Sequence, residues 1–213
     1  MCRIPLFVSA GSDHAASRRR PAFRGDQLDD LRHFVVGIFR AVDAGTLDMA
    51  GAACELSRRL CWEVACDRAS IVTLDEARVV RLGGFDAQLG TPLAGDVELS
   101  NKSPTAHHVA DRRMGVYPPL APASRSDADS DGWPQALREL YLAPQGLESL
   151  AVAAIGNNPN VTGFVCAASL TERQWSLADM AKLRLIANAI ALRRARLGRE
   201  VDIQAVLAPD RGS

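Results

Sequence analysis

The sequence predicts an α+β domain, an antiparallel sheet backed by amphipathic helices, with a long helix near each end. Two observations lead there. Apolar residues recur at spacings of three and four through residues 26–45, 48–66 and 176–200, the period of a helix with one buried stripe. Between them lie short β-branched runs at 68–86 and 147–170, each interrupted by turn residues, as in paired antiparallel strands. Strands and helices grouped in this way make a sheet with helices on one face.

Each element can be justified in order. In "DQLDDLRHFVVGIFRAVDAG" Leu28, Leu31, Val35, Ile38 and Val42 form the stripe, and Phe34 and Phe39 widen it. Asp26, Asp29 and Asp30 favour the helix start electrostatically, and Gly45 ends it. A second helix, from about Asp48 to Cys66, carries Met49, Ala53, Leu56, Leu60 and Val64. "RASIVTLD" and "ARVVRLGGFD", separated by Glu76, read as a hairpin. Residues 87–102 read as Gly- and Pro-punctuated loop. "SPTAHHVADRR" reads as a short helix with Ser103 as cap and Pro104 at its first position. "MGVYPPL" opens as a short strand, and "PQALRELYL" reads as a short helix. "LESLAVAAI" and "VTGFVCAASL" are strands joined by "GNNPN". In the last helix Ser176 and Asp179 form a capping box, with Asp in the usual Glu position. Its stripe runs through Met180, Leu183, Ala187, Ile190 and Leu197 and is interrupted by Arg194.

The totals exclude several function classes. Of 213 residues 47% are hydrophobic, which supports a core, and 25 basic residues balance 25 acidic ones. No global charge draws the chain to nucleic acid or an anionic membrane, and no apolar run is long enough for a membrane span. Residues 1–25 place their charges after a short apolar stretch, the reverse of a secretory signal, and are expected to be a disordered leader. Five cysteines without framework spacing suggest reduced thiols in a cytoplasm. Cys54 and Cys61 share a helix face, but their spacing and the lack of a nearby His do not make a zinc site. No nucleotide-binding loop, serine-hydrolase elbow or zinc signature occurs. "DADSDGWPQALRELY" begins as a calcium loop does, with Asp127, Asp129, Asp131 and Gly132. Its twelfth position is Arg138 where a bidentate Glu is required, so the expectation is an acidic loop in which Asp131 caps a helix.

Four stretches, in order, resemble the GAF family of sensor domains: "CDRASIVTLD", "ELYLAPQGLESLAVAAI", "VTGFVCAAS" and "ERQWSLADMAKLRLIANAIA". The resemblance covers roughly residues 46–197. It implies a GAF/PAS-like antiparallel sheet of five or six strands, with long N- and C-terminal helices on one face and a ligand cavity on the other. Loops and short helices at about 87–142 would roof that cavity. It also implies binding and signalling rather than catalysis. Asn101 and Lys102 resemble the start of the family's cyclic-nucleotide motif, but its spaced Phe and its Asp-Glu pair do not follow. No cysteine lies between Cys66 and Cys166, so the roof thioether of bilin-binding relatives and the roof cysteines of the family's sulfoxide reductases are both missing.

The expected domain is therefore residues 26–200, with a flexible tail at 201–213. His107, Tyr117, Trp133 and Tyr141 are the candidate ligand-binding residues, because they fall in the roof region and combine a polar group with an apolar body. His107 and His108 diverge by about 100° on a helix, so at most one points inward. No catalytic residue, metal ligand or cofactor is expected. The expected partners are a small molecule, a second copy of the chain through a helical bundle, and a signalling protein in trans. Neither nucleic acid nor a membrane is expected. The alternative is a ligand-free dimerisation or protein-interaction module of the same fold.

Overall fold

The computed structural model describes residues 25–74, 78–93, 99–100, 114–117, 138–157 and 160–207. Helix α1 spans Gly25–Asp43 and α2 spans Met49–Val64. Strands β1 (Arg68–Leu74) and β2 (Arg78–Asp86) form the expected hairpin. The two-residue strands β3 (Thr91–Pro92) and β4 (Leu99–Ser100) follow, then β5 (Met114–Tyr117). A π-helical turn, Arg138–Leu142, leads into a 3-10 turn, Ala143–Gln145. Strands β6 (Ser149–Asn157) and β7 (Asn160–Ser169) precede α3, Leu177–Leu207.

All the pairings are antiparallel and make one sheet in the order β3-β2-β1-β7-β6-β5, with β4 added on the free edge of β2. The segments 68–86 and 147–170 therefore lie side by side, because β1 pairs with β7 from Arg68↔Ala168 to Thr73↔Gly163. Alternation along the strands splits the side chains between two faces. Ala69, Ile71, Ala151, Ala153, Ile155, Val165 and Ala167 form the inner face, beneath the helices. Leu56, Leu60 and Val64 of α2 and Met180, Leu183, Ile186 and Ile190 of α3 pack on it. Leu31 and Val35 of α1 complete this core, since α1 lies against both other helices.

The caps account for the helix boundaries. Asp48 Oδ1 accepts from Gly51 N at 2.7 Å, filling an orphan donor at the start of α2. Ala65 closes α2 in the left-handed region at φ 51°, and the Cys66 N–H reaches back to the Cys61 carbonyl at 3.1 Å, a Schellman closure. The expected capping box of α3 is present. Asp179 N donates to Ser176 Oγ at 3.1 Å and Ser176 N donates to Asp179 Oδ2 at 2.9 Å. At Gly83 α2 packs directly on the sheet. A Cβ built there would lie 2.7 Å from both Ala53 Cβ and Cys54 N, so no larger residue fits without moving the helix.

Three local expectations change. Residues 138–142, expected as ordinary helix, wind as a π turn. Pro144, at the start of the following 3-10 turn, has no N–H to donate back into the turn before it. β3 and β4 lie within the stretch expected to be loop. They are short because they only extend the edge of β2. α3 also continues past its expected end at Glu200 to Leu207. The leader, the short helix at 103–113 and the acidic loop at 127–133 lie outside the described residues. No described helix is long and apolar enough to cross a membrane.

Candidate ligand-binding face

The outer face of the sheet has a buried apolar cluster of its own. Val72 of β1, Leu150, Val152 and Ala154 of β6, and Phe164 and Ala168 of β7 point away from the helices. Leu142 and Leu147, which flank the 3-10 turn, complete the cluster, and both are buried. Leu74, Val161, Cys166 and Leu170 pack at its margins. A buried apolar cluster on the sheet face turned away from α1, α2 and α3 is the kind of surface that ligand binding or docking uses.

Polar groups collect at one end of this face. Arg68, Ser70, Arg81, Gln145 and Cys166 surround a space of about 10 Å³, room for about one water molecule. Arg68 Nε donates to Asp86 Oδ2 at 2.8 Å, and Arg68 Nη1 donates to the Gln145 carbonyl at 3.2 Å. Asp86 Oδ1 also accepts the Gln88 and Leu89 N–H groups, each at 3.0 Å. Burial acts to raise the Asp86 pKa, but the Leu89 N–H, the Arg68 hydrogen bond and charge, and the Gln88 N–H outweigh it. The carboxyl is held below the usual aspartate value. Asp86 thus ties β2, β1 and the turn after β2 together, and Arg68 ties them to the turn before β6.

Cys166 behaves differently. Burial pushes its thiol up to about 12, against the opposing pull of a Ser70 hydrogen bond and the Arg81 charge. At neutral pH it is a protonated thiol and a poor nucleophile. Among the described residues no group of three His, Cys, Asp or Glu side chains gathers to hold a metal ion.

His107 and Trp133 lie outside the described residues, as does His108. Tyr117 and Tyr141 are described in backbone only. Tyr117 ends β5 directly opposite Leu150, a residue of the outer-face cluster. Tyr141 falls in the π turn, one residue before buried Leu142. Sequence reasoning did not single out Arg68, Ser70, Arg81 or Asp86 as site residues. The available signal was the polar side chains at 68 and 70 in an otherwise apolar strand, which alternation sends to one face.

A larger hollow, about 480 Å³, lies on the helix side of the molecule between α1 and α3. Leu28, Val35, Val36, Leu185, Ala189 and Leu192 line it, with Arg32 and Arg184 among the polar residues. Leu192 is 70% exposed and Val36 is 44% exposed, an unusual setting for large apolar side chains on facing helices.

No family model matches the sequence, and no curated protein matches it. Solved structures do resemble the fold. A bacteriophytochrome from the photosynthetic bacterium R. palustris aligns over 90% of this chain with a TM-score of 0.58 at 14% identity. This chain spans 45% of that one, under half its length. The phycocyanobilin-bound GAF domain of a cyanobacterial phytochrome aligns over 81% of this chain and 96% of its own, with a TM-score of 0.58 at 12% identity. The blue-light absorbing form of the Thermosynechococcus elongatus PixJ GAF domain aligns over 90% of this chain and all of its own, with a TM-score of 0.53 at 17% identity.

Proposed function

We propose a sensory role for this chain, whose fold is GAF-like: residues 26–200 act as one cytoplasmic, non-catalytic domain that binds a small molecule on the outer face. The observation that carries this reading is the apolar cluster on that face, bordered at one end by Arg68, Ser70 and Arg81. An apolar floor with a few convergent polar groups suits a ligand that is mostly apolar and is oriented by one polar end. His107, Tyr117, Trp133 and Tyr141 are proposed as further contacts from the roof. The signal leaves through the terminal helices to a partner protein, and the domain works as a homodimer joined along the hollow between α1 and α3. The four described cysteines are all free, in keeping with a reducing compartment.

Three of the structural neighbours hold a bilin by their descriptions: phycocyanobilin, phycoerythrobilin and biliverdin. If a bilin binds here, it does so without a thioether from the roof, since no cysteine lies between Cys66 and Cys166. The protonated Cys166 thiol is a poor substitute. A second reading, a closed interaction module with no ligand, is favoured by the space of only about 10 Å³ at the polar end of the face.

Thermal melting separates the two readings. A ligand at a hundredfold its Kd stabilises the folded state by about 2.7 kcal/mol, or roughly 5–10 °C in a chain of this size. A rise of that order when the low-mass fraction of a cell extract is added supports sensing. An unchanged Tm at every concentration supports the closed module.

A further inference from the structure

One residue of β7 lies at an irregularity in the sheet. Ile155 faces Gly163 and Gly156 faces Val161, so Thr162 has no ladder partner on β6, although its Oγ1 donates to the Ile155 carbonyl at 3.3 Å. Its alignment with β1 also stops at Gly163. This is a β-bulge, which breaks the ladder locally and leaves backbone groups to other partners. The Thr162 carbonyl is taken by a side chain: Arg194 Nη1 donates to it at 3.1 Å. Arg194 is the residue that interrupts the apolar stripe of α3. Burial lowers its pKa, a cost that a merely solvated arginine would not bear.

The two sides of this bulge differ in character. Val161 packs against the outer-face cluster, and Phe164, two residues past Thr162, belongs to it. Arg194 approaches from the helix side. Its neighbour Arg193 donates to Asp43, the last residue of α1, and its guanidinium lies 5.4 Å from the centre of the Phe39 ring. From Ala195 to Gly198 every residue of α3 is exposed.

We propose that the Arg194–Thr162 contact is the junction through which a change on the outer face repositions α3. A ligand that displaces Val161 or Phe164 moves the bulge that lies between them. The single donor–acceptor contact is lost once the atoms separate beyond about 3.5 Å. α3 then loses this tie to the sheet while Arg193 still holds it to α1. The input rests on the sensory reading above, but the coupling can be tested without any ligand.

The test is a double-mutant cycle read by hydrogen exchange on the full chain. Val161→Ala perturbs the outer face in four backgrounds: wild type, Arg194→Lys, Arg194→Met and Arg194→Leu. The two apolar replacements keep the packing stem and run in parallel, so failure of one to fold leaves the comparison intact. The expected result is exchange about fivefold faster or more at the amides of residues 190–198 in wild type, in the usual range of coupling between sites. The same change is expected in the Lys background, which keeps a donor, and none in the folded apolar backgrounds. An equal change in the apolar backgrounds, or no change in wild type, overturns the junction. A chain that binds no ligand but passes this cycle would sink the sensory reading alone. Ligand binding with a failed cycle would sink the junction alone.

Discussion

Asp86 ties together three parts of the candidate face, and its role is open to direct test. It accepts from Arg68 and from two backbone N–H groups while almost wholly buried. Asp86→Ala should lower stability at pH 7 by about 3 kcal/mol, the low end for breaking a buried pair, as measured by urea unfolding. The pH dependence has a definite sign. The folded-state pKa is depressed, so the stabilisation is full above the unfolded value of about 3.9 and is lost as pH falls through the folded value. The wild-type and Asp86→Ala stability curves should therefore converge below about pH 4. Cys166 gives a second test. With its thiol pushed up to about 12, about one molecule in ten thousand carries the thiolate at pH 8. The Cys166 peptide should escape iodoacetamide at pH 8 in the native protein and react after unfolding in urea; modification in the native state would contradict the raised thiol pKa. At this scale the sequence was least legible. Aromatic and histidine residues drew attention because of their chemistry. The polar end of the face is made by Arg68, Ser70 and Arg81, which meet only after β1 pairs with β2 in register. Charged residues on strands look like solvated positions until the pairing is known.

The elements were far more legible, because their causes are local. The spacing of three and four in α1, α2 and α3, the Asp48 cap and the Ser176–Asp179 box are all contained within a few residues. The β-branched runs gave β1, β2, β6 and β7 for the same reason. The π turn and the two-residue strands β3 and β4 were missed, since the first depends on how Pro144 closes the turn and the others exist only as pairings on the edge of β2. Gly83 belongs to this scale. It is paired with Ile71 within the ladder and lies directly under α2, a placement that its neighbours in the sequence do not signal. Gly83→Ala should push α2 off the sheet and cost about 1–3 kcal/mol, the range for overpacking a close contact, read as a lowered denaturant midpoint. A neutral substitution would mean that α2 can shift freely, and would weaken the packing described for the inner face.

For the molecule as a whole, the order of helices and strands in the chain already implied one sheet with helices on one side, and the pairing of β1 with β7 makes it so. What the sequence could not convey is which surface is used. Fold leaves function open, and ligand contacts depend on side chains that converge from separate segments. Dimerisation along α1 and α3 is the proposal at this scale. Leu192, exposed in the single chain, should be covered in the pair, so Leu192→Glu should shift a dimer to monomer in analytical ultracentrifugation. The far-ultraviolet spectrum should not change, because an exposed position costs the fold little. A wild-type chain that is monomeric throughout would remove the dimer and leave the outer face untouched. The small-molecule claim itself is tested most directly by native mass spectrometry of the purified chain after exposure to the low-mass fraction of a cell extract. A discrete added mass that disappears on denaturation is the predicted result. The bare polypeptide mass before and after exposure would contradict it.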